Sequence, residues 1–210
     1  DYFYLRVGQP LTMAAANGGT TALLAIGQNG SGKSHTIHEV LERAAFDIFV
    51  DIGTRLPTVY VEYVELYGNK CIDLLGPIGS FVHLERSNEE VDLKGAVKEE
   101  IDSAEKLLKT ISEAQKRFFT QNIVRQSSDE SSYLICRISF SDEIATGTLT
   151  LVEACLGGAK DDADESPIMT VMNNIQSRIS QSAPGAAQSP NCHNLVKILN
   201  PVLTSKMSKL

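Results

Sequence analysis

The sequence predicts a single α/β domain over residues 1–210, a mostly parallel central sheet flanked by helices with a phosphate-binding loop at one strand end. Three observations predict it. The chain has 210 residues, 42% hydrophobic and 21% charged, enough to build one sizeable core and outside the composition of disordered or rod-like chains. A complete G-x-x-x-x-G-K-[ST] string, Gly27-Gln28-Asn29-Gly30-Ser31-Gly32-Lys33-Ser34, lies between an apolar run and an amphipathic one. Strand-like and helix-like segments then alternate along the chain, the pattern of a layered α/β fold.

Phe3, Val7, Leu11 and Ala14 or Ala15 recur at helical spacing, and Asn17-Gly18-Gly19 supplies a left-handed stop, so residues 3–16 form a helix kinked at Pro10. Residues 20–26 are almost wholly apolar, the mark of a strand covered on both faces in a parallel sheet. The amphipathic stretch 34–48 forms the next helix. Residues 59–67 are β-branched and aromatic, Gly68-Asn69 turns the chain, and 70–75 run on as a short apolar element. Two short strands follow at 81–85 and 91–93. Ala104, Leu107, Leu108, Ile111, Ala114 and Phe118 keep helical spacing behind an Asp102 or Ser103 cap. The polar stretch 121–132 precedes strands at 133–140 and 147–152. A helix with Ile168, Met172, Ile175 and Ile179 on its inner face begins at Pro167, and 182–190 form a loop.

The net charge is −7, which argues against a general nucleic-acid binder. After Glu165 there is no acidic residue, so the last 45 residues carry +4, from Arg178, Lys197, Lys206 and Lys209, and the remainder carries −11. Cys71, Cys136, Cys155 and Cys192 show neither zinc-ligand nor disulfide-framework spacing and read as buried thiols of a reducing compartment. No apolar run approaches a membrane span, and the start lacks the regions of a signal peptide; a cytoplasmic setting follows. The first residue is not Met, so the chain reads as a fragment of a longer one. Asp161-Asp162-Ala163-Asp164-Glu165 reads as a solvated loop, since it lacks the ligand alternation of a calcium loop.

The glycine loop carries the chemistry. Its glycines let the backbone turn with N–H groups inward around polyphosphate oxygens, and the helix start through His35 adds partial positive charge. Lys33 would neutralise the β and γ phosphates, and the Ser34 hydroxyl is placed to ligate Mg²⁺ bridging them.

Three strings in order resemble the kinesin motor domain: Val7-Gly8-Gln9-Pro10-Leu11, the loop extended through His35-Thr36, and Val64-Glu65-Leu66-Tyr67-Gly68-Asn69-Lys70-Cys71-Ile72-Asp73-Leu74-Leu75. Residues 103–108 are similar to the helix before that family's first switch, and 147–152 to the strand feeding its second. The resemblance covers nearly the whole chain and implies a P-loop NTPase fold, ATP or ADP with Mg²⁺ as ligands, and microtubules as partner. Relative to the family, the first strand, with its R-x-R-P motif, and the closing elements and neck linker lie outside the chain, as would any further domain or dimer partner.

Departures from the family fall on the switches. Asp129-Glu130-Ser131-Ser132-Tyr133 aligns with S-S-R-S-H, leaving Ser132 as the retained serine and Ser131 in place of the arginine. The second switch, D-L-A-G-S-E, falls on Glu153-Ala154-Cys155-Leu156-Gly157-Gly158, so Glu153 stands for the aspartate and would reach Mg²⁺ through water, while Gly157 and Gly158 replace serine and glutamate. The arginine and glutamate that pair in the family are both absent; losing both partners of a buried ion pair costs far less than losing one. The family's Y-R-D-S-K-L-T-R-L-L falls on residues 190–199, where only Lys197 remains of the cations.

Two readings stand. One is a microtubule-associated, ATP-binding protein with weakened or absent hydrolysis, contacting tubulin through Arg178, Lys197, Lys206 and Lys209; the other is a fully active microtubule-stimulated ATPase. An unrelated P-loop enzyme would explain the loop but not the Glu65–Leu75 string.

Overall fold

The computed structural model describes residues 2–27, 30–51, 57–87, 90–124, 132–143, 146–155, 172–173, 175–177 and 193–204. A π-helical turn, Tyr4–Gly8, leads into α1, Gln9–Ala16. Gly8 and Gln9 keep right-handed helical backbone, so residues 2–16 are one continuous helix as expected, and its π turn lies just before Pro10, whose missing N–H leaves the Arg6 carbonyl without its α-helical donor. Then come β1 (Thr20–Ala25), α2 (Lys33–Phe46) with a second π-turn (Asp47–Asp51), β2 (Thr58–Tyr67) and β3 (Lys70–Asp73). The hairpin β4 (His83–Ser87) and β5 (Glu90–Lys94) is followed by β6 (Glu99–Ile101) and α3 (Ala104–Val124). Strands β7 (Ser132–Ser141) and β8 (Thr146–Cys155) precede α4 (Asn194–Thr204). Helix α3 runs into the expected polar stretch, because Gln121 and its neighbours carry no helix stop. The helix expected from Pro167 and the 182–190 loop fall almost wholly outside the described residues.

The α/β expectation holds, but the sheet is mixed, not mostly parallel. Its order is β1-β8-β7-β2-β3, with β6 also on β2. Only β1–β8 is parallel among the described pairings; β8–β7, β7–β2, β2–β3 and β2–β6 are antiparallel. The connections explain it. A parallel crossover needs a dozen or more residues, and β7 and β8 are joined by only four, β2 and β3 by two.

One sheet face, with Tyr63, Leu134, Cys136 and Leu151, packs against Ile37, Val40 and Leu41 of α2 and Leu107, Ile111 and Ala114 of α3. The other, with Val64, Ile135 and Val152, packs against Val91 and Leu93 of the hairpin and Leu195, Val196 and Leu199 of α4. The segment after β3 is held by two side chains. Buried Asp73 accepts hydrogen bonds from the Leu75 and Val97 backbone N–H groups, both at 2.9 Å. Arg117 of α3 donates to the Leu74, Leu75 and Gly76 carbonyls at 3.2, 2.7 and 2.6 Å. Cys71 and Cys136 are buried free thiols whose burial pushes their pKa up to about 12; Cys192 lies outside the described residues.

Candidate functional site: the phosphate-binding loop

Parallel pairing brings the C-terminal ends of β1 and β8 side by side, with Ala25 opposite Glu153. The chain leaves β1 into the glycine loop, so whatever the loop binds meets the end of β8. Gly30 and Gly32 hold φ near +80° and +88°, the left-handed region that side chains strain to enter. Gly27 is needed for closeness: a Cβ there would sit 2.7 Å from the Ser31 Oγ. Helix α2 starts with no side-chain cap on Gly32 and no acid in its first turn, an arrangement that suits an anion at the helix N-terminus. A Cβ at Gly30 or Gly32 would meet nothing within 4 Å, which leaves the loop's approach clear. These features fit a polyphosphate.

Ser34 donates its hydroxyl hydrogen to the Glu153 Oε1. Glu153 is only 7% exposed. A hydroxyl and a carboxylate oxygen side by side are the hard oxygen ligands that Mg²⁺ takes, so the pair fits the cation as well. Cys155, two residues on, is pushed up to about 12 by burial first and by the Glu153 charge second, with Lys33 and a hydrogen bond to Ser132 opposing. Ser132 stands directly across the β7–β8 ladder from Cys155. The fold thus gathers Lys33, Ser34, Ser132 and Glu153 at one place. His35 is exposed and its ring pairs with Glu39, one turn down α2, at 3.4 Å, so its contribution to the loop is its backbone. Gln28, Asn29, Ser131 and Gly157 lie outside the described residues.

Two neighbours have no signal in the loop motif. Glu65, Leu134, Glu153 and Ala25 form one cross-strand row over β2, β7, β8 and β1, which puts fully buried Glu65 on the face that carries Glu153. Tyr63, one pleat back on β2, hydrogen-bonds Gln115 of α3, and burial raises its pKa. Strand register alone finds both. Among the described residues no group of three or more His, Cys, Asp or Glu is arranged to hold a metal, and no helix is long and apolar enough to cross a membrane.

Of the four cations singled out in the C-terminal stretch, Lys197 is described: it lies half-buried on α4, donating its ammonium to the Asn194 Oδ1 at 3.2 Å. Arg178, Lys206 and Lys209 lie outside the described residues, as does the acidic run 161–165.

The family model of the kinesin motor domain matches residues 1–155. The chain is similar to the kinesin-like protein KIF24 of Mus musculus, at 28% identity over 191 residues covering 85% of this chain and 14% of that protein. It is also similar to the diatom spindle kinesin-1 of Cylindrotheca fusiformis, at 26% over 169 residues, 78% of this chain and 27% of that one. Kinesin-like protein KIN-UA of Arabidopsis thaliana is 23% identical over 155 residues, 68% of this chain and 17% of its own length. The chain spans 14–27% of the length of these relatives.

Proposed function

Because the chain belongs to the kinesin motor domain family, we propose that it binds Mg²⁺ with ATP or ADP at Gly27–His35, hydrolyses ATP slowly or not at all, and contacts microtubules. Its setting is then the cytoskeleton and cytoplasm. The observation that carries the nucleotide reading is the hydrogen bond between Ser34 and Glu153 at the mouth of the glycine loop. Bound Mg²⁺ would supply charge neutralisation between phosphate oxygens.

The chain's own groups divide the remaining work. Backbone N–H groups of Gly30 to His35 hold anionic oxygens, and Lys33 sets a fixed positive charge beside them. Glu153 orients the Ser34 hydroxyl and keeps negative charge at the cation position. Slow hydrolysis follows from the aligned switch positions: water is placed for attack by donors that bind the transition state, and Asp129, Glu130 and Gly158 offer none that suits. Asp129 and Glu130 would also repel a γ-phosphate.

Calorimetry with Mg·ATP and Mg·ADP tests the ligand: the folded chain should give binding heat and Lys33→Ala none, and no heat for the unaltered chain overturns the claim. Phosphate release with and without polymerised tubulin tests the rate. We expect little stimulation, whereas a large microtubule-stimulated rate would establish the fully active motor instead.

A further inference from the structure

The sheet face opposite α2 and α3 changes character along its length. Val64, Ile135, Val152 and Leu24 form an apolar row under α4. One pleat further from the glycine loop, the row becomes Glu62, Arg137, Thr150 and Ala22, and the next is Tyr60, Ser139, Thr148 and Thr20. A sheet face covered by a hairpin and a helix is normally apolar throughout. Here the polar rows floor a cavity of about 430 Å³, roofed by Val91 and Leu93 of the hairpin and Ile198, Pro201 and Val202 of α4.

Glu62 and Arg137 face each other across the β2–β7 ladder with side chains only 11% and 12% exposed. Their charged atoms stop 3.9 Å apart, beyond the 2.7–2.9 Å at which such groups share a hydrogen bond. The guanidinium turns Nη1 to the Val91 carbonyl at 3.1 Å. Burial raises the Glu62 pKa against the opposing charges of Arg137 and Lys98. Two nearly buried opposite charges, adjacent but not closed on each other, cost desolvation that their own pairing does not recover. The three acids and three cations lining the cavity leave it neutral, and the rim pair Lys94–Glu85, at 2.8 Å, is already closed.

We propose that this cavity binds a small α-amino acid with an apolar side group, its carboxylate on Arg137 and its ammonium on Glu62. The neighbouring opposite charges match an α-ammonium and carboxylate on adjacent atoms, and the floor hydroxyls of Ser139, Thr148 and Thr150 add uncharged partners. The apolar group lies against Leu93 and Ile198. The volume is at the small end of ligand pockets. The site lies on the other sheet face and toward the other end of β1 from the glycine loop, so it does not depend on the nucleotide reading.

The test is calorimetry of the intact chain with leucine, against 4-methylpentanoate, which lacks the ammonium, and 3-methylbutylamine, which lacks the carboxylate. We expect leucine to bind at about 1 mM or tighter, with each single-charge analogue at least tenfold weaker. Glu62→Gln and Arg137→Gln should each weaken it at least tenfold, and Lys33→Ala should leave it unchanged. Should either charge variant fail to fold, Ile198→Trp fills the cavity from its apolar wall and should abolish binding with both charges in place. No heat with leucine, equal binding of a single-charge analogue, or binding unaffected by Ile198→Trp would overturn the proposal.

Discussion

His193 caps α4 and meets the core at the same time. Its Nδ1 accepts the Leu195 N–H at 3.2 Å, and its ring stands edge-on to Tyr133 with centroids 5.3 Å apart. Burial first and the Lys197 ammonium second hold its pKa below the ordinary 6.5. The native chain therefore favours the neutral ring; the stability this contributes is complete above about 6.5 and is lost as pH falls through the depressed native value. Protonation also turns Nδ1 from acceptor to donor and removes the cap. Urea midpoints at pH 7.5 and 5.5 should fall more for the unaltered chain than for His193→Asn, which keeps a capping oxygen but does not titrate; equal falls would exclude this role. The Tyr133 hydroxyl beneath is buried with no hydrogen-bond partner among the described residues, so the ring pair rests on packing.

At the element scale, α1 and β8 meet at close quarters. A Cβ on Gly147 would lie 1.9 Å from the Ala15 carbonyl oxygen and 2.9 Å from the Gly18 Cα, backbone that cannot swing aside. Gly147→Ala should thus cost about 1–3 kcal/mol by forcing helix and strand apart, measured as a drop in denaturation midpoint at unchanged slope. Elements of this kind were readable where their cause is local. The left-handed glycines Gly30 and Gly32, the stop at Asn17-Gly18 and the spacing Leu107–Ile111–Ala114 each have a cause within a few residues, and the structure has them. Strand direction is as expected for Thr20–Ala25, which runs parallel to β8, but not for β2, β7 and β8, where the short β7–β8 link is the better guide than apolar content. Motif alignment puts Glu153 at the metal side, but its direct reach to Ser34 depends on the register of β8 against β1. The rows flooring the cavity were visible only as alternate polar residues in strands 58–67, 132–141 and 146–155, meaningless until pairing sets them side by side.

At the scale of the molecule, charge is unevenly spread: the acid-free last 45 residues hold +4 against −11 elsewhere. Tubulin presents an acidic surface, so attraction through Arg178, Lys197, Lys206 and Lys209 should be weak and salt-sensitive, exposed pairs contributing about 0.2–1 kcal/mol each. Co-sedimentation with microtubules should show binding at low salt that fades at moderate salt and drops when all four are replaced by Ala; binding indifferent to both would assign the contact to other residues. The parallel pairing of β1 with β8 also carries a consequence for the chain as it is made. Glu153 leaves the ribosome 128 residues after its partner Ala25, which at synthesis rates of about 5–20 residues per second is a wait of roughly 6–25 s. During that interval the phosphate-binding loop has been translated but has no second strand end to define it, and the ladder side of β1 that β8 will cover stays unpaired. An apolar strand edge left unpaired is an aggregation hazard, and on the proposed reading nucleotide would find both strand ends only after residue 153 has emerged.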